Sequence, residues 1–140
     1  MSAADGLNFA QFRDKGKAAL SAIPPQRAGV LPASTVGLTH HDWMDDNDQA
    51  AAAYGDAISR ETLPPAKVEN VPVGDVHTMQ KGVYRGGVHK YLDRKTPTNE
   101  LPQVSRVGGK NWIDDGHHRY AAFALGGATH IPAMVRDYDA

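Results

Sequence analysis

At 140 residues the chain has the length of one ordinary domain, which argues against two full-sized ones. Hydrophobic residues at 41% and charged residues at 22% are a globular balance, not that of a wholly disordered chain. A formal net charge of −1 excludes general coating of duplex DNA, and the absence of Cys excludes disulfides, thiolate zinc sites and thiol catalysis. No apolar run approaches the about 20 residues of a membrane span, and the N-terminus has no signal-peptide core. A soluble chain with no membrane partner is expected, cytoplasmic or part of an intracellularly assembled particle.

The prolines punctuate the chain, and Pro64-Pro65 is the best boundary, because two consecutive prolines stop a helix arriving from Ser59–Leu63. Before it the pattern is helical. Asn8 can cap a helix with Gln11 at the capping-box position, and Phe9, Phe12, Ala19, Leu20 and Ile23 recur at near-helical spacing. Pro24 to Leu38 reads as loop. Thr39 can cap a second helix with Asp42 three residues on, which places Trp43, Ala50, Ala51, Tyr54 and Ile58 on one side.

After Pro65 strands and helices interleave. Val68–Val73 reads as a short strand. Asp75 is a candidate cap for a helix carrying Val76, Met79 and Val83, broken at Gly86-Gly87 before a short piece with Val88, Tyr91 and Leu92. Gln103–Val107 and Lys110–Asp114 have strand length, and Gly108-Gly109 between them suits a two-residue hairpin turn. His117–Leu125 reads as a helix ended by Gly126-Gly127, and Thr129–Val135 as a closing strand. The expected class is α+β with a small mixed sheet and packed helices, in residues 67–140, preceded by a helical N-terminal extension over residues 1–66.

Chemistry concentrates in Asp115-Gly116-His117-His118-Arg119, where a strand enters a Gly turn and then a helix. Free amides and the positive macrodipole end at a helix start attract anions. Gly116 admits a ligand close to the backbone. Arg119 offers a forked donor suited to phosphate, and His117 and His118 offer donors or proton transfer near neutral pH. Asp115 can cap the helix or help hold a divalent ion. On a purely structural reading, Asp115 caps and the His-His-Arg run is solvated surface.

The run Asp115-Gly116-His117-His118-Arg119-Tyr120-Ala121-Ala122, with Gly126-Gly127-Ala128 and Ile131-Pro132-Ala133-Met134-Val135, resembles the ParB/sulfiredoxin superfamily, in particular its ParB-like nuclease branch. Val71-Pro72-Val73, Val76, Gln80, Val88, Tyr91-Leu92 and Leu101-Pro102 resemble the opening strand and helices of that domain, so the likeness spans Lys67 to Asp137. It implies that the Gly-x-x-Arg turn holds phosphates of a nucleotide or nucleic acid. In ParB-type partition proteins a similar turn carries two arginines for a CTP triphosphate. Here Arg119 matches the second and His118 stands in place of the first. No downstream helix-turn-helix is expected after Val135. In sulfiredoxin the turn carries a catalytic Cys where this chain has His117, so that repair chemistry is excluded, while His118 and Arg119 match its phosphate-contacting pair.

Elsewhere, His40-His41-Asp42 with Asp45, Asp46 and Asp48 invites a metal reading, but the stretch lacks the Gly and distal Glu of a calcium loop, and acidic residues suit a first helical turn. His77 and His89 precede the hairpin, and His130 opens the final strand. Trp112, Tyr120 and Phe123 read as core. Lys81, Arg85, Lys90, Arg94, Lys95, Arg106 and Lys110 make the second half locally basic, as either a nucleic-acid face or ordinary solvated surface.

Two functional readings stand. In the first, the turn binds a phosphate-bearing nucleotide or nucleic acid and hydrolyses a phosphodiester, with His117, His118 and Asp115 as catalytic candidates, Gly116, His118 and Arg119 as phosphate-binding candidates, and Mg²⁺ or Mn²⁺ as candidate cofactor. In the second, the chain is a non-catalytic interaction or assembly subunit, phage-particle associated for example, that docks a protein partner through residues 1–66.

Overall fold

The computed structural model of the chain describes residues 9–24, 29–93 and 100–140. Its elements are α1 (Phe9–Ala22), β1 (Val30–Pro32), β2 (Leu38–His40), α2 (Gln49–Ile58), β3 (Ala66–Pro72), β4 (Val76–Thr78), β5 (Gly82–Tyr84), α3 (Arg85–Leu92), β6 (Gln103–Val107), β7 (Lys110–Asp115), α4 (His117–Leu125) and β8 (His130–Asp137). Six strands form one mixed sheet in the order β2-β4-β7-β6-β8-β3, and β1 pairs with β5 as a separate antiparallel ribbon. β2, β4 and β7 run parallel, β6 runs antiparallel to β7 and parallel to β8, and β3 closes the far edge antiparallel to β8. The class is α+β with a mixed sheet.

Several expected elements are present. The β6–β7 hairpin turns at Gly108-Gly109, with φ of 61° and 76°, the backbone a tight primed turn requires. α1, β3, α4 and β8 also lie where periodicity placed them, although the Asn8 cap falls outside the described residues.

Five expectations are corrected. The stretch Pro24 to Leu38 is not all loop, since it holds β1 and a 3₁₀ turn over Ala33–Val36 and leads directly into β2. The first 66 residues are therefore not purely helical. They supply an edge strand of the main sheet, and Phe12, Leu20, Leu31, Val36 and Leu38 join the same core as residues beyond Pro65. The second helix starts at Gln49 rather than after Thr39, capped by Asp48, whose Oδ1 accepts the Ala51 amide at 2.9 Å. Asp42 and Asp45 instead accept the amides of Met44 and Asn47, and such local carboxylate-to-backbone bonds compete with helix formation.

The helix expected after Asp75 is two strands, β4 and β5. Val76, Met79 and Val83 have helical spacing by coincidence; Val76 and Thr78 bury on one face of a β-branched segment paired on both sides. Gly86-Gly87 does not break α3 but lies in its first turn.

Alternation along the strands gives the sheet two faces. One presents Val71, Val76, Val104, Ile113, Ile131 and Val135 to a core completed by Phe12 and Leu20 of α1, Val88 and Leu92 of α3, and Tyr120 and Ala121 of α4. The other presents Val107 and Trp112 to Ala51, Tyr54 and Ala57 of α2. Arg85 ties the end of α1 to the rest, donating to the carbonyls of Leu20 (2.7 Å), Ile23 (2.7 Å) and Pro24 (3.1 Å), where a helix leaves its last acceptors unsatisfied.

Candidate functional site

β7 ends at Asp115 and α4 begins at His117, so Gly116 makes the whole turn. Its φ of 87° is left-handed, and an added Cβ would lie 2.8 Å from Pro102 Cα, so both conformation and packing demand glycine. Asp115 does not cap α4. Its Oδ1 accepts the Gly116 amide at 2.8 Å, and the cap position falls on Gly116, which leaves the helix start without a side-chain cap. The first bond within the helix runs from Tyr120 N–H to the Gly116 carbonyl at 2.9 Å.

The two adjacent histidines diverge, as neighbours about 100° apart on a helix must. His117 turns inward and is 6% exposed, with Nε2 2.8 Å from Thr78 Oγ1, which also accepts the Gln80 amide. Burial pushes its pKa down to about 4, so at neutral pH it is an uncharged imidazole fastening α4 to β4. His118 is half-buried and crosses Gly87 in the first turn of α3, where any Cβ would collide with its ring. The start of α3, like that of α4, has no side-chain cap.

Arg119 is 6% exposed, its guanidinium 5.5 Å from the Phe123 ring centroid and 5.9 Å from that of Tyr91. Both are cation–π distances. Tyr120 anchors the helix on its other flank, donating to the Gly37 carbonyl at 2.8 Å and accepting the Gly74 amide at 3.0 Å; desolvation pushes its hydroxyl up to about 12. Gly116 and His118 thus meet at the helix start with Asp115 exposed beside them, while His117 faces the core and Arg119 is clasped by aromatic rings.

A second polar cluster on the α2 face was not legible in the sequence. His41 bonds Asp48 and His77, and all three gather around Trp112 and the start of α2. Tyr54 stacks on Trp112 with ring centroids 4.6 Å apart, and its hydroxyl donates to Asp114 Oδ1 at 2.5 Å; Ser105 donates to Asp114 Oδ2 at 2.6 Å. Desolvation holds the Asp114 carboxyl above the ordinary range against the pull of these two hydroxyls. The alternation of His77 with Val76 and Thr78 was the available signal, but only a strand reading would have revealed it.

The remaining candidates are dispersed. His40 is exposed, and His89 pairs with Asp93 at 2.8 Å one helical turn on. Among the described residues no group of three or more His, Asp or Glu side chains is placed to hold a metal ion. Of the basic residues expected to form a face, Arg85 is committed to α1 and Arg106 to Glu69, Asn111 and Asp137; Arg94 and Lys95 lie outside the described residues. Comparison with protein-family models, with curated proteins and with solved structures yields no match.

Proposed function

We propose that residues 67–140 form a ParB-like domain whose β7–α4 turn binds a phosphate group of a nucleotide or nucleic acid. The observation that carries this reading is the meeting of two helix starts: α4 opens at left-handed Gly116 with no side-chain cap, and His118 lies across Gly87 in the equally uncapped first turn of α3. Helix-start amides and the positive ends of two macrodipoles favour an anion there, and Arg119 adds a fixed positive charge in the same turn. On this reading His118 is the imidazole placed to exchange a proton with a phosphate ester, and His117 holds the helix that presents it. Exposed Asp115 is the carboxylate available to a Mg²⁺ or Mn²⁺ ion that accompanies the phosphate.

Calorimetry with a nucleoside triphosphate and with short single- and double-stranded oligonucleotides tests the site. His118→Ala is expected to cost about 1.5–3 kcal/mol of binding, the scale of a hydrogen bond to a charged group, and Arg119→Ala less, because the clasped guanidinium acts through its charge. A thermal melt run beside Arg119→Ala separates lost packing from lost contact, and unchanged affinity in both variants removes the site. Cleavage of the same oligonucleotides with Mg²⁺ or Mn²⁺ then decides between hydrolysis and binding alone.

A second reading, a non-catalytic interaction subunit, rests on Trp43 and Met44. They are 58% and 85% exposed in the segment between β2 and α2; one flank of Trp43 stacks on Tyr54, and the rest of the pair is an apolar display open to a partner. Retained phosphate affinity with no turnover under any metal condition favours it.

A further inference from the structure

Asp48, His41 and His77 come from three parts of the chain and form one file of hydrogen bonds. Asp48 caps α2, with Oδ1 accepting the Ala51 amide at 2.9 Å and Oδ2 lying 2.5 Å from His41 Nδ1. His41 directly follows β2, and its Nε2 is 2.8 Å from Nδ1 of His77 in β4. Both imidazoles lean on the fully buried Trp112, at centroid distances of 4.6 and 5.2 Å.

The Asp48 carboxylate can only accept, which places a proton on His41 Nδ1. In the neutral pair His41 Nε2 then accepts and His77 Nδ1–H donates. One added proton is accommodated, because His41 becomes an imidazolium paired with Asp48 and donates to a His77 that has its own proton on Nε2. A second added proton is not. Two imidazolium rings carry hydrogen on all four nitrogens, and the 2.8 Å contact becomes donor against donor between like charges.

We propose that the Asp48–His41–His77 chain is an acid-opened latch that holds the segment 41–48 over Trp112. Asp75, in the turn before β4, and Asp48, at the start of α2, favour the charged form of His77; burial, His41 and Lys110 at the start of β7 oppose it. Opposition wins, and the folded pKa of His77 lies below its ordinary value. The latch therefore stabilises the closed segment above an unfolded-state pKa of about 6.5 and is lost as pH falls through the lower folded value.

α2 keeps an independent tie, because Tyr54 still donates to Asp114 when that carboxyl is protonated. Acid thus loosens the strap bearing Asp42, Trp43, Met44, Asp45 and Asp46 between its remaining ties, the His41 amide on the Thr78 carbonyl (2.9 Å) and Trp43 on Tyr54, and leaves the helix docked.

The chain has two Trp, so Trp43→Phe leaves Trp112 as its one indole. In that background the emission is expected to shift to the red between about pH 7.5 and about pH 5, with far-UV circular dichroism unchanged. His77→Gln, whose amide can still donate to His41 but does not titrate, is expected to hold the emission at its neutral-pH position, and so is His41→Gln. Histidine-ring NMR of the Trp43→Phe chain reads the event without further substitution, since His77 signals must move with the midpoint of the emission change. A constant emission overturns the proposal. So does a shift of equal size and midpoint in both Gln variants, a His77 midpoint unrelated to the emission change, or a shift accompanied by loss of helix signal.

Discussion

The two faces of the sheet are held in different ways. Toward α1, α3 and α4 the layer is apolar and closed. Leu92, Ile131, Val104 and Tyr120 are fully buried there, and the one imidazole drawn in, His117, has Thr78 as partner. Beneath α2 the apolar cluster is small, and Asp48, His41, His77, Asp114 and Ser105 surround Trp112 and Tyr54. Buried area dominates the first face, at roughly 25 cal/mol per Å² of apolar surface, a contribution that does not itself titrate; its pH dependence enters through His117. The second depends on hydrogen bonds between groups that titrate. Breakage on the first face should therefore be global, and on the second local.

The largest expected effect is on the closed face. Ile131→Ala removes a fully buried side chain from the centre of that layer and should cost about 2–5 kcal/mol in urea unfolding, with loss of all structural signals together. A partial transition that spares α3 and α4 would break the comparison.

Next comes the acid behaviour of His117. Its folded pKa of about 4 lies below the ordinary value, so it contributes stability above about pH 6.5 that is lost as pH falls through about 4. The full swing is on the order of 3 kcal/mol, since each pKa unit is about 1.4 kcal/mol. Urea unfolding across that range should show the decline, and His117→Gln should flatten it. Because His117 sits in the main core, this loss is global, unlike the opening of the strap.

The smallest effect sharpens the contrast. Tyr54→Phe removes one hydroxyl from Asp114 while Ser105 keeps the other carboxylate oxygen paired, so a cost of about 0.5–1.5 kcal/mol is expected. Near-UV circular dichroism should change around the Trp112–Tyr54 stack and amide exchange should rise in α2, with the opposite face unaffected.

Residue order alone determined the local elements whose signals lie within a few residues: the hairpin at Gly108-Gly109, α4 between Gly116 and Gly126, and the closing strand β8. It also marked Asp115–Arg119 as the richest stretch of chemistry. It misread Val76–Val83, because apolar residues three and four apart satisfy a helix while β-branched Val76, Thr78 and Val83 satisfy strands, and the choice fell to the neighbours, β2 and β7 beside β4 and β1 beside β5. It also started the second helix too early, after Thr39, where the side chains of Asp42 and Asp45 instead accept the amides of Met44 and Asn47 and the helix begins at Gln49. Sequence adjacency suggested that His117 and His118 act together, yet a helical step of about 100° sends one into the core and the other across Gly87. Conversely, His41 and His77 are 36 residues apart and share a bond because parallel pairing of β2 with β4 brings them to one end of the sheet. Side-chain partners reached through strand pairing and helix docking are set by tertiary geometry, since no local spacing encodes which distant backbone will lie 5 Å away, roughly the separation of adjacent strands.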